Sequence, residues 1–344
     1  MDILLPGRFY TEEFEREARA CGWDGRMIPV HWRKSTRGER IRNRILGRRS
    51  PSSAMIAPGP SELAGIGILL HAWPMDEAEL SSLVDGVPEL RWIHTAYTGA
   101  EVAVRAAGDR PIAVTNAGSQ TTTAVSEHAL ALLLAMARSL PEHFVATRDR
   151  EWVAPPAQTL EGSTLMVFGL GRIGSAVASK ASCLGSRVIG IRNRVEIGGP
   201  DSVVDVRSTD EAVKTLGEAD FVLLALPSTP KTDNLVNHDF LAAMRPGAVL
   251  VNVGRAETID DNALVGALNS GHLRAACLDV TREQPVSGSS PLHGAPNLWL
   301  THYTASQQAE GDHLREARHT FLDTLERYVK GDPLENRIDL ERGY

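Results

Sequence analysis

The chain has 344 residues, 42% of them hydrophobic and 23% charged, with a formal net charge of −7. This length and composition predict a globular protein of about two domains. The negative charge gives no reason to expect a nucleic-acid partner, and no apolar run reaches the roughly 18 residues that a membrane helix needs. The N-terminus lacks a basic leader, and the three scattered cysteines (Cys21, Cys183 and Cys277) form no metal or disulfide motif. We therefore expect a cytoplasmic protein with buried, reduced thiols, no metal site and no membrane contact.

The first third of the chain alternates between strand-like and helix-like segments. Short apolar strands are predicted at residues 3–5, 27–30, 66–70, 91–95 and 112–115, and a helix at residues 11–20. Alternation of this kind predicts an α/β layer with a largely parallel sheet.

A basic segment from Arg33 to Arg49 interrupts this alternation, with eight Lys or Arg residues and one Glu. One interpretation is a solvated surface loop. Another is a flap that draws an anionic substrate or cofactor towards a site, because clustered positive charge attracts anions. Nucleic-acid binding is a third interpretation, although no aromatic residue beyond Trp32 accompanies the run.

Residues 124–140 form a predicted long helix that is hydrophobic almost all round. Such a helix is expected to be buried between domains or at a subunit interface, which favours a homodimer. A second β/α series follows, with strands predicted at residues 165–168, 187–191, 221–225, 248–253, 275–278 and 298–300. This series predicts a doubly wound nucleotide-binding domain. An amphipathic helix is predicted at residues 307–330, and its return to the first domain would make that domain discontinuous.

The second series opens with a Gly-x-Gly-x-x-Gly motif, formed by Gly169, Gly171 and Gly174 directly after an apolar strand. In this setting the first glycine permits a tight turn, the second lets the backbone approach a diphosphate, and the third lets helix and strand pack closely. The following helix begins near Arg172 and Ile173, and its N-terminal N–H groups would face the diphosphate. The motif therefore predicts a dinucleotide site rather than a plain glycine turn.

Further blocks flank the glycine motif. In chain order they are VTNAG at 114–118, EHALALLLA at 127–135, LPSTPKT at 226–232, MRPGAVLVNVGR at 244–255 and LDV at 278–280. In order and spacing they resemble the D-isomer-specific 2-hydroxyacid dehydrogenases of the glyoxylate/hydroxypyruvate reductase kind, over about residues 90–306. The resemblance implies an α/β fold of two Rossmann-like domains with doubly wound parallel sheets and a cleft between them. We expect a discontinuous, flavodoxin-like substrate-binding domain at 1–115 and 305–344, and an NAD(P)-binding Rossmann domain at 116–304.

The resemblance also implies roles at the cofactor end. Arg255 matches the family's catalytic arginine, and its planar guanidinium suits a substrate carboxylate bidentately. Asp279 matches the position beside the nicotinamide end of the cofactor, with a strand-end capping carboxylate as the alternative. Further cofactor contacts are expected in the matching blocks at Pro227, Thr232 and Val253.

Substrate contacts are expected in the first domain. Thr98 and Gly99, preceded by Tyr97, match the family loop whose backbone N–H groups hold the substrate carboxylate. Trp73 follows a predicted strand and would either wall the substrate pocket or pack in the core.

The proton-transfer residues depart from the family pattern. In the family, a Glu directly before Pro pairs with a His in Thr-Pro-His, and that His is the acid/base. An ungapped match places Gln284 and Tyr303 at these two positions. A local slip would instead recruit Glu283 and His302, but in an extended segment a shift of one residue turns the side chain to the other face. We favour Tyr303 with Gln284, since a neutral phenol can donate a hydrogen bond to a developing alkoxide.

The cofactor preference is predicted from the residues after the second strand of the series. An NAD-binding fingerprint has a carboxylate there for the ribose 2′-hydroxyl, whereas this chain continues with Arg192, Asn193 and Arg194 and has no carboxylate until Glu196. Two guanidiniums attract a 2′-phosphate, so NADP is predicted over NAD. The alternative is that both arginines merely solvate a turn.

These observations predict an NADP-dependent oxidoreductase that reduces a small anionic 2-oxo acid to a 2-hydroxy acid. Arg255 would clamp the carboxylate, and Tyr303 or His302 would donate the proton. Two alternatives follow from the departures: a cofactor-binding sensor or partner protein without robust turnover, and a reductase of a different carbonyl or imine substrate.

Overall fold

The computed structural model describes residues 1–30, 32–34, 53–55, 63–72, 75, 77–96, 99–118, 121–306 and 312–339. The chain divides into two compact units, which we call unit 1 (Met1–Gln120 and Ala309–Tyr344) and unit 2 (Thr121–Gln308). Most of the basic segment, residues 35–49, lies outside the described residues, so its three interpretations stay predictions.

Unit 1 is built on a five-stranded sheet in the order β2-β1-β5-β6-β7, with every pair parallel. Its strands are β1 (Asp2–Pro6), β2 (Met27–Val30), β5 (Ile66–His71), β6 (Trp92–Thr95) and β7 (Ala113–Asn116), and β3 (Trp32–Lys34) and β4 (Ser53–Met55) form a separate antiparallel pair. Its helices are α1 (Glu12–Ala20), α2 (Glu77–Asp85), α3 (Glu101–Ala107) and α10 (Asp312–Lys330).

Both faces of this sheet are covered by helices, because alternate strand residues point to opposite sides and nearly all are apolar. Helices α2 and α3 pack on one face. On the other face, Phe14 of α1 and Phe321 of α10 pack with Trp92, whose ring lies 5.4 Å from that of Phe321 and nearly parallel to it. The amphipathic helix predicted at 307–330 is thus present as α10, and it packs within unit 1.

Unit 2 contains a seven-stranded sheet in the order β10-β9-β8-β11-β12-β13-β14, again with every pair parallel. Its strands are β8 (Thr164–Phe168), β9 (Arg187–Ile191), β10 (Asp205–Arg207), β11 (Phe221–Leu224), β12 (Val249–Asn252), β13 (Ala275–Leu278) and β14 (Leu298–Leu300). Its helices are α4 (Thr122–Ala137), α5 (Leu140–Asp149), α6 (Arg172–Cys183), α7 (Thr209–Lys214), α8 (His238–Ala243) and α9 (Asp261–Asn269). These sheets confirm the predicted doubly wound α/β class.

The strand order of unit 2 reverses at β8. The chain runs from β8 outwards to β9 and β10, and then returns to β11 on the other side of β8. In such sheets a ligand binds beyond the carboxyl ends of the strands, at the point of reversal. Residues that follow β8, β9, β11, β12, β13 and β14 therefore lie along the edge where a ligand is expected.

Two element predictions were wrong in detail. The seventh strand, β10, was missed because Asp205–Arg207 is polar and only half-buried, so it carries no apolar signal. The helix predicted at 124–140 ends at Ala137, since Ser139 adopts a left-handed conformation with φ +52°. The chain then turns into α5, and Leu134 on α4 is 37% exposed, so the helix is not buried all round.

The three cysteines are free, but only one is buried. Burial raises the pKa of the Cys277 thiol to about 12, and the nearby charge of Glu142 adds to the effect. Cys21 is half-buried and Cys183 is exposed, so the prediction of buried thiols was wrong for Cys183.

Within the described residues, no single helix combines the length and apolar composition needed to cross a membrane. Helices α4 and α5 pass that test only together, as a pair bent by 65°.

Candidate active site

The glycine motif forms a tight strand–turn–helix junction. Gly169 follows β8 with φ +97°, and a Cβ placed on it would lie 2.6 Å from the Ala225 carbonyl oxygen. A Cβ on Gly174 would lie only 1.8 Å from the Gly169 carbonyl oxygen, so α6 packs on the turn only because that residue is glycine. Two of the three glycines are therefore required by close packing within the protein.

Gly171 differs from the other two glycines. It is exposed, caps α6 without a side chain, and a Cβ placed on it would meet no heavy atom of the described residues within 4 Å. The protein thus leaves open space beside the first turn of α6, where Arg172 is exposed and Ile173 half-buried. An open turn at a helix N-terminus provides backbone N–H groups and a positive dipole end, which fit a dinucleotide diphosphate.

The two arginines after β9 have different surroundings. Arg192 donates from Nη1 to the Gly198 carbonyl oxygen at 2.6 Å, which ties it to its own loop. Asn193 accepts a hydrogen bond from the Thr209 hydroxyl at 3.4 Å. The exposed Arg194 guanidinium makes no hydrogen bond or ion pair with any residue that the structure describes. Of the two arginines, only Arg194 is thus held by no described neighbour.

The loop after β11 is closed by its own hydroxyl groups. Thr232 donates to the Pro227 carbonyl oxygen at 2.7 Å and accepts from the Thr229 backbone N–H at 2.9 Å. Beside this loop, Val253 is buried, and a Cβ on Gly254 would lie 2.7 Å from the Leu226 backbone. The predicted contact residues Pro227, Thr232 and Val253 are therefore engaged in shaping the edge of the sheet.

Arg255 lies just beyond the carboxyl end of β12. Its carbonyl oxygen accepts hydrogen bonds from the Asn252 side chain at 3.1 Å and from the Thr258 hydroxyl at 2.6 Å. Its half-buried guanidinium donates from Nη1 to the Gly254 carbonyl oxygen at 3.1 Å. The backbone of Arg255 is thus fixed at the edge where ligands bind in sheets of this kind.

The carboxylate of Asp279 holds together the segment after β14. It is 5% exposed, and its Oδ1 accepts from the Thr301 hydroxyl at 2.7 Å and from the Thr304 N–H at 2.9 Å. The Ala305 N–H donates to both carboxylate oxygens, at 3.2 and 3.1 Å. His128 of α4 completes the cluster, since its Nε2 lies 3.0 Å from the Thr301 hydroxyl and 3.5 Å from Oδ1. These contacts make Asp279 an anchor for residues 301–305.

That segment is a turn and not an extended strand. His302 and Tyr303 have φ of +54° and +61°, and the Tyr303 N–H donates to the Asp279 carbonyl oxygen at 2.6 Å. Both side chains are exposed, Tyr303 by 56%. The premise that consecutive residues here point to opposite faces was therefore wrong, and face alternation does not separate the two candidates.

The two candidates for the family's Glu before Pro, Gln284 and Glu283, form hydrogen bonds within their own loop. Gln284 donates to the Thr281 carbonyl oxygen at 3.1 Å, and the Glu283 carboxylate accepts from the Ser287 N–H at 3.2 Å. Both side chains are exposed.

Among the predicted substrate residues, only Gly99 is described, and it lies just before α3. Trp73, Tyr97 and Thr98 lie outside the described residues, so their roles stay predictions. Sequence reasoning missed His128 and Thr301, although His128 belongs to one of the matching blocks. No local pattern singles out His128, since Ser126 and Glu127 precede it on the same helix.

Comparison with known proteins identifies the family. Residues 130–305 match the family model described as the NAD binding domain of D-isomer specific 2-hydroxyacid dehydrogenase. A D-3-phosphoglycerate dehydrogenase of Methanocaldococcus jannaschii is 31% identical over 262 residues, which are 75% of this chain and 49% of that protein. An uncharacterized protein of Streptomyces coelicolor, from the mprR 3′ region, is 32% identical over 261 residues, 75% of this chain and 91% of that protein. The chain thus spans about half the length of the phosphoglycerate dehydrogenases that it matches.

Solved structures share the whole fold. A D-isomer specific 2-hydroxyacid dehydrogenase family protein of Aeromonas salmonicida matches with a TM-score of 0.75 and 26% identity, covering 98% of this chain and 99% of that one. An NADPH-dependent glyoxylate/hydroxypyruvate reductase of Sinorhizobium meliloti, solved with NADP and sulfate, matches with a TM-score of 0.76 and 21% identity, covering 100% of this chain and 99% of that one. An NAD-dependent formate dehydrogenase of Staphylococcus aureus, solved with NAD, matches with a TM-score of 0.69 and 22% identity, covering 98% of this chain and 99% of that one. Together with the glycine turn and the matched blocks, these findings show that the chain belongs to the D-isomer specific 2-hydroxyacid dehydrogenase family.

Proposed function

We propose that this protein is an NADP-dependent oxidoreductase that reduces a small 2-oxo acid to the 2-hydroxy acid. One observation carries the proposal. The open turn at Gly171 and Arg255 lie at the same carboxyl edge of one sheet. The first feature fits a nucleotide and the second an anionic carbonyl compound, which are the two reactants of this chemistry.

The cofactor is held by backbone and by charge. Backbone N–H groups at the start of α6 bind the diphosphate, because the Gly171 turn is open on that side. Arg194 binds the 2′-phosphate, supported by its exposure and by its lack of a bonded partner among the described residues. The reduced nicotinamide, when bound, supplies the hydride. The NADP complex of the Sinorhizobium reductase supports this choice, whereas the Staphylococcus enzyme, which is NAD-dependent, represents the alternative.

The substrate is held by Arg255. Its guanidinium presents parallel donors to a carboxylate, and charge-assisted hydrogen bonds contribute about 1.5–3 kcal/mol each. The same positive charge stabilises the negative charge that develops on the carbonyl oxygen during reduction. The substrate contacts expected at Tyr97, Thr98, Gly99 and Trp73 stay predictions from the sequence.

Reduction of a carbonyl also requires a proton donor for the developing alkoxide. The exposed turn at 301–305 presents two candidates, His302 and Tyr303. We assign the role to Tyr303, which occupies the family position of the acid/base His, with Gln284 as its neutral neighbour in the matching pattern. His302 is the alternative donor.

The exposed apolar side chains of unit 2 support a homodimer. Leu134, Leu140 and Phe144 on α4 and α5 are 37%, 40% and 69% exposed, and Trp152, which follows α5, is 99% exposed. Large apolar side chains gathered on one helix pair are typical of subunit interfaces.

A second candidate function is a dinucleotide-binding protein without turnover. The residue type at position 284 favours it, because a neutral glutamine stands where the matching pattern has the carboxylate partner of the acid/base. Turnover itself separates the two functions.

The main test is oxidation of NADPH in the presence of a panel of small 2-oxo acids. We expect turnover with at least one of them, and we expect Arg255→Lys to lower kcat/KM about a hundredfold, because a lysine offers no planar pair of donors. Arg187→Lys is the matched control. Arg187 begins β9 and so lies at the amino edge of the sheet, opposite the edge that holds Arg255, and its replacement should leave kcat/KM unchanged. No oxidation with any 2-oxo acid would favour the second candidate function.

The glycine turn gives a paired prediction. Gly171→Ala should unfold at the same temperature as the wild type, because its Cβ meets no atom, but should bind NADPH at least about tenfold more weakly, since the methyl group enters the diphosphate space. Gly174→Ala should lower the unfolding free energy by more than about 2 kcal/mol, because its Cβ would overlap the Gly169 carbonyl oxygen. Thermal unfolding and titration with NADPH measure both. Unchanged affinity in Gly171→Ala would argue against a diphosphate beside this turn.

The 2′-phosphate assignment is tested by Arg194→Gln. The variant should bind NADPH about tenfold to a hundredfold more weakly, as expected for loss of a charged hydrogen bond, with no change for NADH. Arg16→Gln on α1 removes the same charge elsewhere and should alter neither affinity. Equal or tighter binding of NADH than of NADPH by the wild type would contradict the assignment.

A further inference from the structure

The cluster of His128, Thr301 and Asp279 has a definite direction of hydrogen bonding. Thr301 has one hydroxyl hydrogen and donates it to the Asp279 carboxylate, which only accepts. His128 Nε2 lies 3.0 Å from the Thr301 oxygen, and in this hydrogen bond the imidazole must then be the donor. His128 therefore carries its hydrogen on Nε2 and donates it to the Thr301 oxygen, and Asp279 Oδ1, which accepts from the Thr301 hydroxyl, lies 3.5 Å from the same nitrogen.

The same cluster fixes an unfavourable backbone. His302 and Tyr303 are consecutive non-glycine residues in the left-handed region, which side chains with a Cβ rarely adopt. Such conformations persist where surrounding contacts over-determine them. Here the contacts come from Asp279, which accepts the N–H groups of Tyr303, Thr304 and Ala305 through its carbonyl oxygen and carboxylate.

His128 acts on this anchor from a separate element. It projects from α4, its side chain is only 23% exposed, and it reaches the shared acceptor of the turn. A donor on the Thr301 oxygen restricts the rotation of that hydroxyl, because Thr301 then bonds to His128 on one side and to Asp279 Oδ1 on the other.

We propose that His128 is a positioning residue: its Nε2–H holds the Thr301 hydroxyl against the Asp279 carboxylate, and through this pair it fixes the turn that presents His302 and Tyr303. Its effect on proton transfer rests on the proposed function, whereas its effect on the turn does not. The side chain required is an N–H donor of the reach of an imidazole, so glutamine can replace it and leucine cannot.

Hydrogen–deuterium exchange on the full chain without ligand tests the effect on the turn. His128→Leu should raise the exchange rate of the amides of Tyr303, Thr304 and Ala305, in peptides spanning 299–306, by about tenfold. Thr301→Val, which keeps the side-chain shape but removes the hydroxyl, should do the same and serves if the first variant folds poorly. In His128→Gln these exchange rates should stay within about threefold of the wild-type rates. His143→Leu, on the exposed face of α5, is the control and should have the wild-type rates. Wild-type protection in Thr301→Val or in a folded His128→Leu would overturn the proposal, as would loss of protection in His128→Gln equal to that in His128→Leu.

Kinetics test the consequence for the reaction. His128→Leu should lower kcat for the 2-oxo acid about tenfold or more and leave the KM for NADPH within about twofold, with kcat restored by His128→Gln. Increased exchange with unchanged kcat would overturn the catalytic part of the proposal. If the wild type reduces no 2-oxo acid, the proposed function fails, and the exchange experiment still decides whether His128 fixes the turn.

Discussion

Unit 2 depends on one close contact, that of Gly174 with the Gly169 carbonyl oxygen. No side chain can separate α6 from the turn at this point, because a Cβ would lie 1.8 Å from that oxygen. The contact brings the N-terminus of α6 to the place where the strand order reverses, and it leaves Gly171 facing open space. The dinucleotide site follows from this packing, since the N–H groups at the start of the helix then face the position of a diphosphate.

The turn at 301–305, which holds the two proposed proton donors, depends on a different kind of constraint. A single buried carboxylate, Asp279, gathers the backbone of the turn that follows β14 and holds two residues in left-handed conformations. In the matching pattern this position contacts the cofactor, whereas here the carboxylate is largely occupied by the protein. These contacts fit the alternative of a strand-end capping carboxylate, and the contact of Asp279 with the nicotinamide stays a prediction. The side chains that the turn presents are those of His302 and Tyr303.

Apolar periodicity predicted most of the fold, because buried parallel strands are continuous apolar runs with helices between them. It failed for β10, whose residues are polar and half-buried, and for the end of α4, which a left-handed Ser139 determines. The glycine turn was predictable because its conformation requires particular residues. The turn at 301–305 was not, since its conformation comes from Asp279, 22 residues before Thr301, and from His128, 173 residues before it. Long-range hydrogen bonds of this kind leave no local pattern in the sequence.

The proposed role of Tyr303 as the proton donor is tested most directly by single-turnover oxidation of bound NADPH by a 2-oxo acid in Tyr303→Phe and His302→Gln. We expect Tyr303→Phe to slow the hydride-transfer step about a hundredfold or more, as expected for loss of a general acid, and His302→Gln to stay within about threefold of the wild type. NADPH affinity should be unchanged in both variants. Full activity in Tyr303→Phe together with a large loss in His302→Gln would contradict the claim and assign proton transfer to the histidine.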